Sequence, residues 1–186
     1  RLNAIGNLLY FSANNGINGG ELWRSDGTED GTYMVKDINP GSNSSSALQS
    51  SHSYHRCATK FICGAVQQSS GSLIFFVADD GEHGKELWAT NGTEEGTYMV
   101  KDIRVGDDDG GITELIMLGD TVIFEAYENT PGTNRWKGLW KSDGTEEGTV
   151  LVRADTDFQW PERLGSIVLF SWSSQSMWRT DGTTEG

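Results

Sequence analysis

Residues 21–38 read ELWRSDGTEDGTYMVKDI, and this segment returns as ELWATNGTEEGTYMVKDI at residues 86–103. The two copies differ at four of their eighteen positions. A third copy, GLWKSDGTEEGT, covers residues 138–149, and a fourth, MWRTDGTTEG, covers residues 177–186. Repetition at this level predicts an array of similar structural units, because internal self-similarity marks repeat architectures.

A second shared block precedes each copy of the motif. It is a short run rich in β-branched and aromatic residues, as expected of a buried strand. The four runs lie at residues 8–13, 73–78, 122–126 and 168–171. Weaker apolar segments precede three of them, at residues 2–5, 112–118 and 158–164. Two-residue links that contain Gly join these segments to the runs, which is typical of β-hairpins.

Each unit therefore predicts four short antiparallel strands. We expect an all-β fold, a β-propeller or propeller fragment with about four four-stranded blades, of which the last is incomplete. The whole chain, residues 1–186, is then a single repeat array. Its parts are blade 1 (1–41), a Ser-rich insert (42–71), blade 2 (72–106, with a lead-in strand from the insert), blade 3 (107–156) and blade 4 (157–186). Because blade 4 lacks its last strand, we expect the polypeptide to continue or another chain to supply that strand.

The composition suits strands joined by tight turns, with 24 Gly, 3 Pro, 7 Trp, 7 Phe and 5 Tyr. The formal net charge of −13 opposes binding to nucleic acid and to anionic lipid. No stretch is long and apolar enough to span a bilayer. We therefore expect neither a nucleic-acid partner nor membrane insertion.

The pattern E-L-W-x-x-[DN]-G-T resembles the ELWxxDGT repeat family, most closely at residues 21–23 and 86–88. The resemblance covers nearly the whole chain and implies a β-propeller-like array in an exported, mostly bacterial protein. It therefore implies a secreted or cell-surface location. Gly138 and Ser176 stand where the family has Glu. This departure argues against an essential catalytic role for that Glu in every blade.

Leu and Trp of the motif should point to opposite faces of a strand. We expect the Trp ring to pack on the neighbouring blade, and a sugar-stacking platform is the alternative. The four rings belong to Trp23, Trp88, Trp140 and Trp178. The polar residue before the glycine should accept hydrogen bonds from the turn, with calcium binding as the alternative. These turn residues are Asp26, Asn91, Asp143 and Asp181. The pairs Lys36-Asp37 and Lys101-Asp102 predict a solvated outer strand edge.

Three further features suggest local chemistry. Asp107, Asp108 and Asp109 form a candidate cation site, with a solvated loop as the alternative, and calcium is the one cofactor considered. Cys57 and Cys63 predict a disulfide in the insert, with free thiols or a metal site as alternatives. Sequons at Asn43 and Asn91 are candidate N-glycosylation sites.

No nucleophile elbow, phosphate-binding loop or zinc-protease motif is present, so no catalytic residue is assigned. We expect a non-catalytic extracellular repeat module that acts as a structural scaffold or an adhesion surface. Its partners would be other copies of itself or other extracellular proteins, with glycans as further candidates. One alternative is a carbohydrate-binding propeller, and another is a glycan hydrolase or lyase that acts at a central channel.

Overall fold

The computed structural model describes residues 2–48, 65–67, 71, 73–127, 137–172 and 176–185. These residues form fifteen strands in four antiparallel sheets, which confirms the all-β prediction, and no helix occurs among them. Within each sheet the strands are hydrogen-bonded in chain order. None of the described segments provides a helix that could cross a membrane.

Each sheet is built from one sequence repeat. Sheet 1 contains β1 (Leu2–Ile5), β2 (Leu8–Asn14), β3 (Gly20–Ser25) and β4 (Tyr33–Lys36). Sheet 2 contains β5 (Ala65–Gln67), β6 (Ile74–Asp79), β7 (Lys85–Thr90) and β8 (Thr97–Lys101). Sheet 3 contains β9 (Thr113–Leu118), β10 (Thr121–Tyr127), β11 (Lys137–Ser142) and β12 (Val150–Arg153). Sheet 4 contains β13 (Gln159–Leu164), β14 (Ile167–Trp172) and β15 (Ser176–Thr180).

The predicted hairpins are present between the first and second strands of sheets 1, 3 and 4. Ile5 pairs with Leu8 across a two-residue turn, and the equivalent pairs close the other two hairpins. The glycine of each turn has a positive φ, of which +59° at Gly6 is representative. Glycine adopts this left-handed conformation at little steric cost, and it therefore suits these tight links.

A β-bulge recurs at the Leu–Trp step of the motif in all three sheets that have a fourth strand. In sheet 1, Leu22 pairs with Lys36 and Trp23 pairs with Met34, so Val35 is the extra residue. Val35 is buried in the same apolar cluster as Leu22. The bulge thus turns an additional β-branched side chain towards the next sheet, which is a common use of bulges.

Consecutive sheets share their apolar cores. The cluster between sheets 1 and 2 includes Tyr10 and Leu22 from sheet 1 and Phe76 and Trp88 from sheet 2. Equivalent positions build the clusters between sheets 2 and 3 and between sheets 3 and 4. Leu and Trp of one motif therefore face opposite neighbours: Leu packs on the following sheet and Trp on the preceding one. Most of the apolar surface of each sheet is covered only when both neighbours are present.

Candidate functional site

A buried carboxylate anchors the link between sheets 1 and 2. Glu21 accepts hydrogen bonds from the backbone N–H groups of Ile38 and Ser45, both at 3.0 Å. The carbonyl of Ser45 in turn accepts from the N–H of Asp79 in sheet 2, at 2.8 Å. The glutamate of the motif therefore satisfies the backbone of the connecting chain at the point where that chain meets the next sheet. Such pairing matters because an unsatisfied buried N–H is costly.

Glu86 plays the same part between sheets 2 and 3. Its carboxylate accepts from the N–H groups of Ile103 and Arg104 at 3.2 and 3.1 Å, and the residue is fully buried. A side chain at Gly110 would collide with this carboxylate, because a Cβ there would lie 2.6 Å from Oε2. The carbonyl of Gly110 accepts from the N–H of Tyr127, so this linker is also tied to sheet 3.

In the third repeat the carboxylate comes from a different strand. Gly138 stands at the motif position, and Glu125 on the neighbouring β10 accepts from the N–H of Phe158 at 3.0 Å. Lys137 and Thr113 donate to the same carboxylate at 2.9 and 2.7 Å. A buried acid is therefore retained where sheet 3 meets sheet 4, although the motif has lost its Glu. We call each such contact between consecutive sheets, together with the linker that crosses it, a joint. The sequence contained one signal, an acidic residue inside the otherwise apolar run at residues 122–126.

Burial raises the pKa of Glu21 and of Glu86. Desolvation raises the pKa of Glu86 from its ordinary value of 4.5 to about 8, although two backbone N–H bonds oppose the change. Desolvation also raises the pKa of Glu21, against the opposing effect of hydrogen bonds from Ser45 and Ile38. The raised pKa moves the ionisation of Glu86 towards neutral pH, while the N–H groups of Ile103 and Arg104 oppose this shift by stabilising the carboxylate.

The polar residue of the turn makes the same two bonds in all four copies. In the first copy, Oδ1 of Asp26 accepts from the backbone N–H and the hydroxyl of Thr28, at 2.9 and 2.6 Å. The other pairs are Asn91 with Thr93, Asp143 with Thr145, and Asp181 with Thr183. These threonine bonds lower the pKa of the three aspartates. Each Asp or Asn side chain thus fixes the conformation of its own turn by hydrogen bonding to the threonine two residues later.

The lysines of the fourth strands join neighbouring sheets. The Lys36 ammonium donates to the carbonyl of Thr97 at 2.7 Å, and Lys101 donates to the carbonyl of Thr149 at 3.0 Å. The Tyr98 hydroxyl donates to another carbonyl in the turn of sheet 3, also at 3.0 Å. The interpretation of these lysines as a solvated edge is therefore wrong, because they are partly buried and bound to the next sheet. Side-chain periodicity alone could not reveal this, since the acceptors are backbone atoms of another repeat.

The motif tryptophans occupy three environments. Trp88 and Trp140 are only 6% and 8% exposed, and each lies in a core between two sheets. Trp23 is half-buried on the face of sheet 1 that points away from sheet 2. Trp178 is 38% exposed, and the guanidinium of Arg153 lies 5.0 Å from its ring centroid. Trp88 and Trp140 therefore leave almost no ring surface on which a sugar could stack.

The three aspartates at residues 107–109 do not converge. Asp108 forms an ion pair with Arg104 at 2.8 Å. Asp109 accepts from the backbone N–H of Lys85 at 2.9 Å, and Asp107 is exposed. Among the residues that the structure describes, no group of three or more His, Cys, Asp or Glu side chains is arranged to hold a metal ion. Arg104 and Lys85 place cationic groups beside Asp108 and Asp109, with Lys85 Nζ 3.8 Å from the Asp109 carboxylate, and calcium binding at this loop stays a prediction.

The structure describes the two candidate glycosylation sites but not the two cysteines. Cys57 and Cys63 lie outside the described residues, so their pairing stays a prediction. Asn43 is exposed on the described chain that follows sheet 1. Asn91 is also exposed, but its amide oxygen already accepts the two bonds from Thr93, at 3.0 and 2.7 Å.

No protein-family model and no curated protein matches the chain. Among solved structures, the chain is similar to the crystal structure of the computationally designed Ika8 protein, with a TM-score of 0.44 and 15% sequence identity. The match covers 98% of this chain and 49% of the designed one, so the chain spans about half the length of that protein.

Proposed function

We propose that the four sheets are blades of a β-propeller or propeller fragment, and that the chain is a non-catalytic, exported repeat module. It acts as a structural scaffold or as an adhesion and interaction surface. The observation that carries this proposal is the use of the repeated polar side chains. Glu21 and Glu86 bind linker backbone, Asp26 binds its own turn, and Lys101 binds the next sheet. The residues that define the repeat thus build the joints between sheets.

The propeller arrangement is supported by the order and contacts of the strands. All four sheets run in chain order from the first strand outwards, and consecutive sheets pack face to face through shared cores. The first strand of sheet 3, β9, contacts the first strands of sheets 2 and 4, β5 and β13. In a propeller the first strands of successive blades are likewise neighbours around the axis.

The net charge and the family resemblance favour a secreted or cell-surface location. A formal charge of −13 keeps a protein soluble and repels polyanions, so protein surfaces and glycans are the favoured partners. Loops at one edge of stacked sheets provide extended binding surfaces in repeat proteins. Other copies of the chain are among these partners.

A carbohydrate-binding module is the second candidate, and it now rests on sheet 4. Trp160 and Trp178 are 59% and 38% exposed in that sheet, unlike the buried Trp88 and Trp140. Aromatic rings with an exposed face are the usual platform for sugar rings. This candidate therefore predicts one sugar site in sheet 4 and not one in every blade.

The test is adhesion of beads coated with the chain to surfaces that carry extracellular proteins, glycans or the chain itself. The scaffold proposal expects saturable adhesion to a protein surface or to the chain, unchanged by free sugars and by Trp178→Ala. Adhesion only to glycans, competed by free sugar and lost in Trp178→Ala, would establish the second candidate. Release of shorter saccharides from a glycan surface would contradict both.

A further inference from the structure

The sheets have two distinct faces, and the joints between them define how the faces pair. The front face of a sheet packs on the following sheet, and the rear face packs on the preceding one. The apolar side chains on the rear face of sheet 1 are Leu9, Phe11, Ala13, Trp23 and Met34, the positions equivalent to Ile74, Phe76, Ala78, Trp88 and Met99 in sheet 2. The front face of sheet 4 carries the apolar side chains Leu164, Ile167, Leu169 and Met177, together with Arg179, Glu162 and Ser171.

The rear face of sheet 1 is apolar, yet it is only half-buried. Phe76 and Phe124, at the position of Phe11 in sheets 2 and 3, are fully buried beneath the preceding sheet. Phe11 and its neighbour Leu9 are of intermediate exposure. The same pattern of apolar side chains thus occurs three times, and in two cases the structure shows what covers it: the front face of another sheet of this repeat.

The front face of sheet 4 shows the complementary feature. Met177 is 78% exposed, whereas Leu22, Leu87 and Leu139 at the same position are at most 1% exposed. Leu164 on the same face is 63% exposed. Large apolar side chains exposed together at one place commonly mark an interaction surface.

One polar contact at the first joint also has its counterparts on this pair of faces. Arg24 on the front face of sheet 1 donates to the carbonyl of Gly92, in the turn of sheet 2, at 3.3 Å. Arg179 occupies the position of Arg24 in sheet 4, and Gly27 occupies the position of Gly92 in the turn of sheet 1. A front face of sheet 4 laid on a rear face of sheet 1 would therefore place a guanidinium beside a backbone carbonyl, as the first joint does.

We propose that the chain associates head to tail: the front face of sheet 4 in one copy packs on the rear face of sheet 1 in a second copy. The occupant of each exposed face is thus a second copy, packed as in the internal joints but without the side chains of a fourth strand and linker, such as Val35 and Ile38, that those joints also contain. An interface of this heterologous kind closes into a ring when its rotation allows and otherwise extends as a filament. The inference rests on the proposed scaffold function and names its partner and contact surface.

The test blocks one face at a time. Phe11→Glu blocks the rear face and Met177→Glu blocks the front face, while Ile17→Glu adds the same charge at a loop residue that is 74% exposed and belongs to neither face. Circular dichroism and thermal unfolding establish that each variant folds. If Phe11→Glu does not fold, Leu9→Glu replaces it, since Leu9 lies on the same face and is paired with Ser25.

Native mass spectrometry then gives the stoichiometry of each protein and of the mixed variants. We expect oligomers of the unaltered chain and of Ile17→Glu, and monomers of each face variant alone. Mixing the two face variants restores one interface and should give a 1:1 complex and nothing larger. Arg179→Ala should weaken association roughly tenfold, the effect of about one hydrogen bond to a charged donor.

Two results would overturn the inference. One is a monomeric unaltered chain at every accessible concentration. The other is a dimer that survives Met177→Glu, since that would mean that two rear faces pair with each other. If the mixtures fail to associate while coated beads still adhere, the inference fails and the proposed function stands. If the mixtures associate but the beads release shorter saccharides from a glycan surface, the inference stands and the proposed non-catalytic function fails.

Discussion

Replacement of Glu86 by Gln should remove a pH dependence from the stability of the fold. Glu86 is fully buried, and desolvation raises its pKa from 4.5 to about 8. A folded-state pKa above the unfolded value gives a contribution to stability that is complete below pH 4.5. That contribution is lost as the pH rises through 8, because ionisation is then easier in the unfolded chain.

The size of the effect follows from the same two values. A shift from 4.5 to about 8 corresponds to at most about 5 kcal/mol, at roughly 1.4 kcal/mol for each pKa unit. The amide of a Gln at this position carries no charge, so its energy in the folded state does not vary with pH. The stability lost between pH 4.5 and pH 8 should therefore be smaller in Glu86→Gln than in the unaltered chain, by up to this amount.

Urea unfolding across this pH window, and just beyond both ends, measures the difference. Glu94→Gln is the matched control, because it removes the same charge from an exposed turn position. Glu21 retains its own raised pKa in both proteins, so a residual slope of the same sign remains. Parallel stability profiles for the unaltered chain and Glu86→Gln would refute the account of this joint.

Three further predictions concern the turns and the joints. Tyr98→Phe should lower the free energy of unfolding by about 0.5–1.5 kcal/mol in urea denaturation, because it removes one bond to the next sheet. Gly92→Ala should lower the melting temperature more than Gly27→Ala: both have positive φ, but only at Gly92 would a Cβ meet the neighbouring sheet, 2.6 Å from a tyrosine hydroxyl. Equal losses of melting temperature in the two variants would contradict that contact. After expression through a glycosylating secretory pathway, peptide mass spectrometry should find the glycan on Asn43 and not on Asn91, whose side chain is bound within its turn.

The strands and their two-sided packing could be predicted from the sequence because side chains alternate with a period of two. That rule alone places Leu22 and Trp23 on opposite faces of their strand. The bulge at Val35 could not be predicted in this way, since it depends on the register between two strands. The sequence shows that the segment is apolar, but it does not show that the Val35 side chain faces the next sheet.

The polar contacts of the joints were largely hidden for a related reason. The acceptors of Lys36 and Lys101 are backbone carbonyls, and these groups cannot be recognised from the sequence because every residue has one. The donors to Glu21 are likewise backbone N–H groups. Glu125 shows that the required feature is a carboxylate at one place in space and not at one place in the motif. The turn aspartates were easier to anticipate, because their partners lie two residues away.

We propose that the motif residues build joints between sheets and do not form a ligand site in each repeat. The most direct test compares the free energies of unfolding of Trp88→Ala and Trp178→Ala, the buried and the exposed member of the set. We predict a loss of about 3–5 kcal/mol for Trp88→Ala and a clearly smaller loss for Trp178→Ala. A Trp88→Ala variant that keeps its stability and loses binding to a surface or a glycan would contradict the claim.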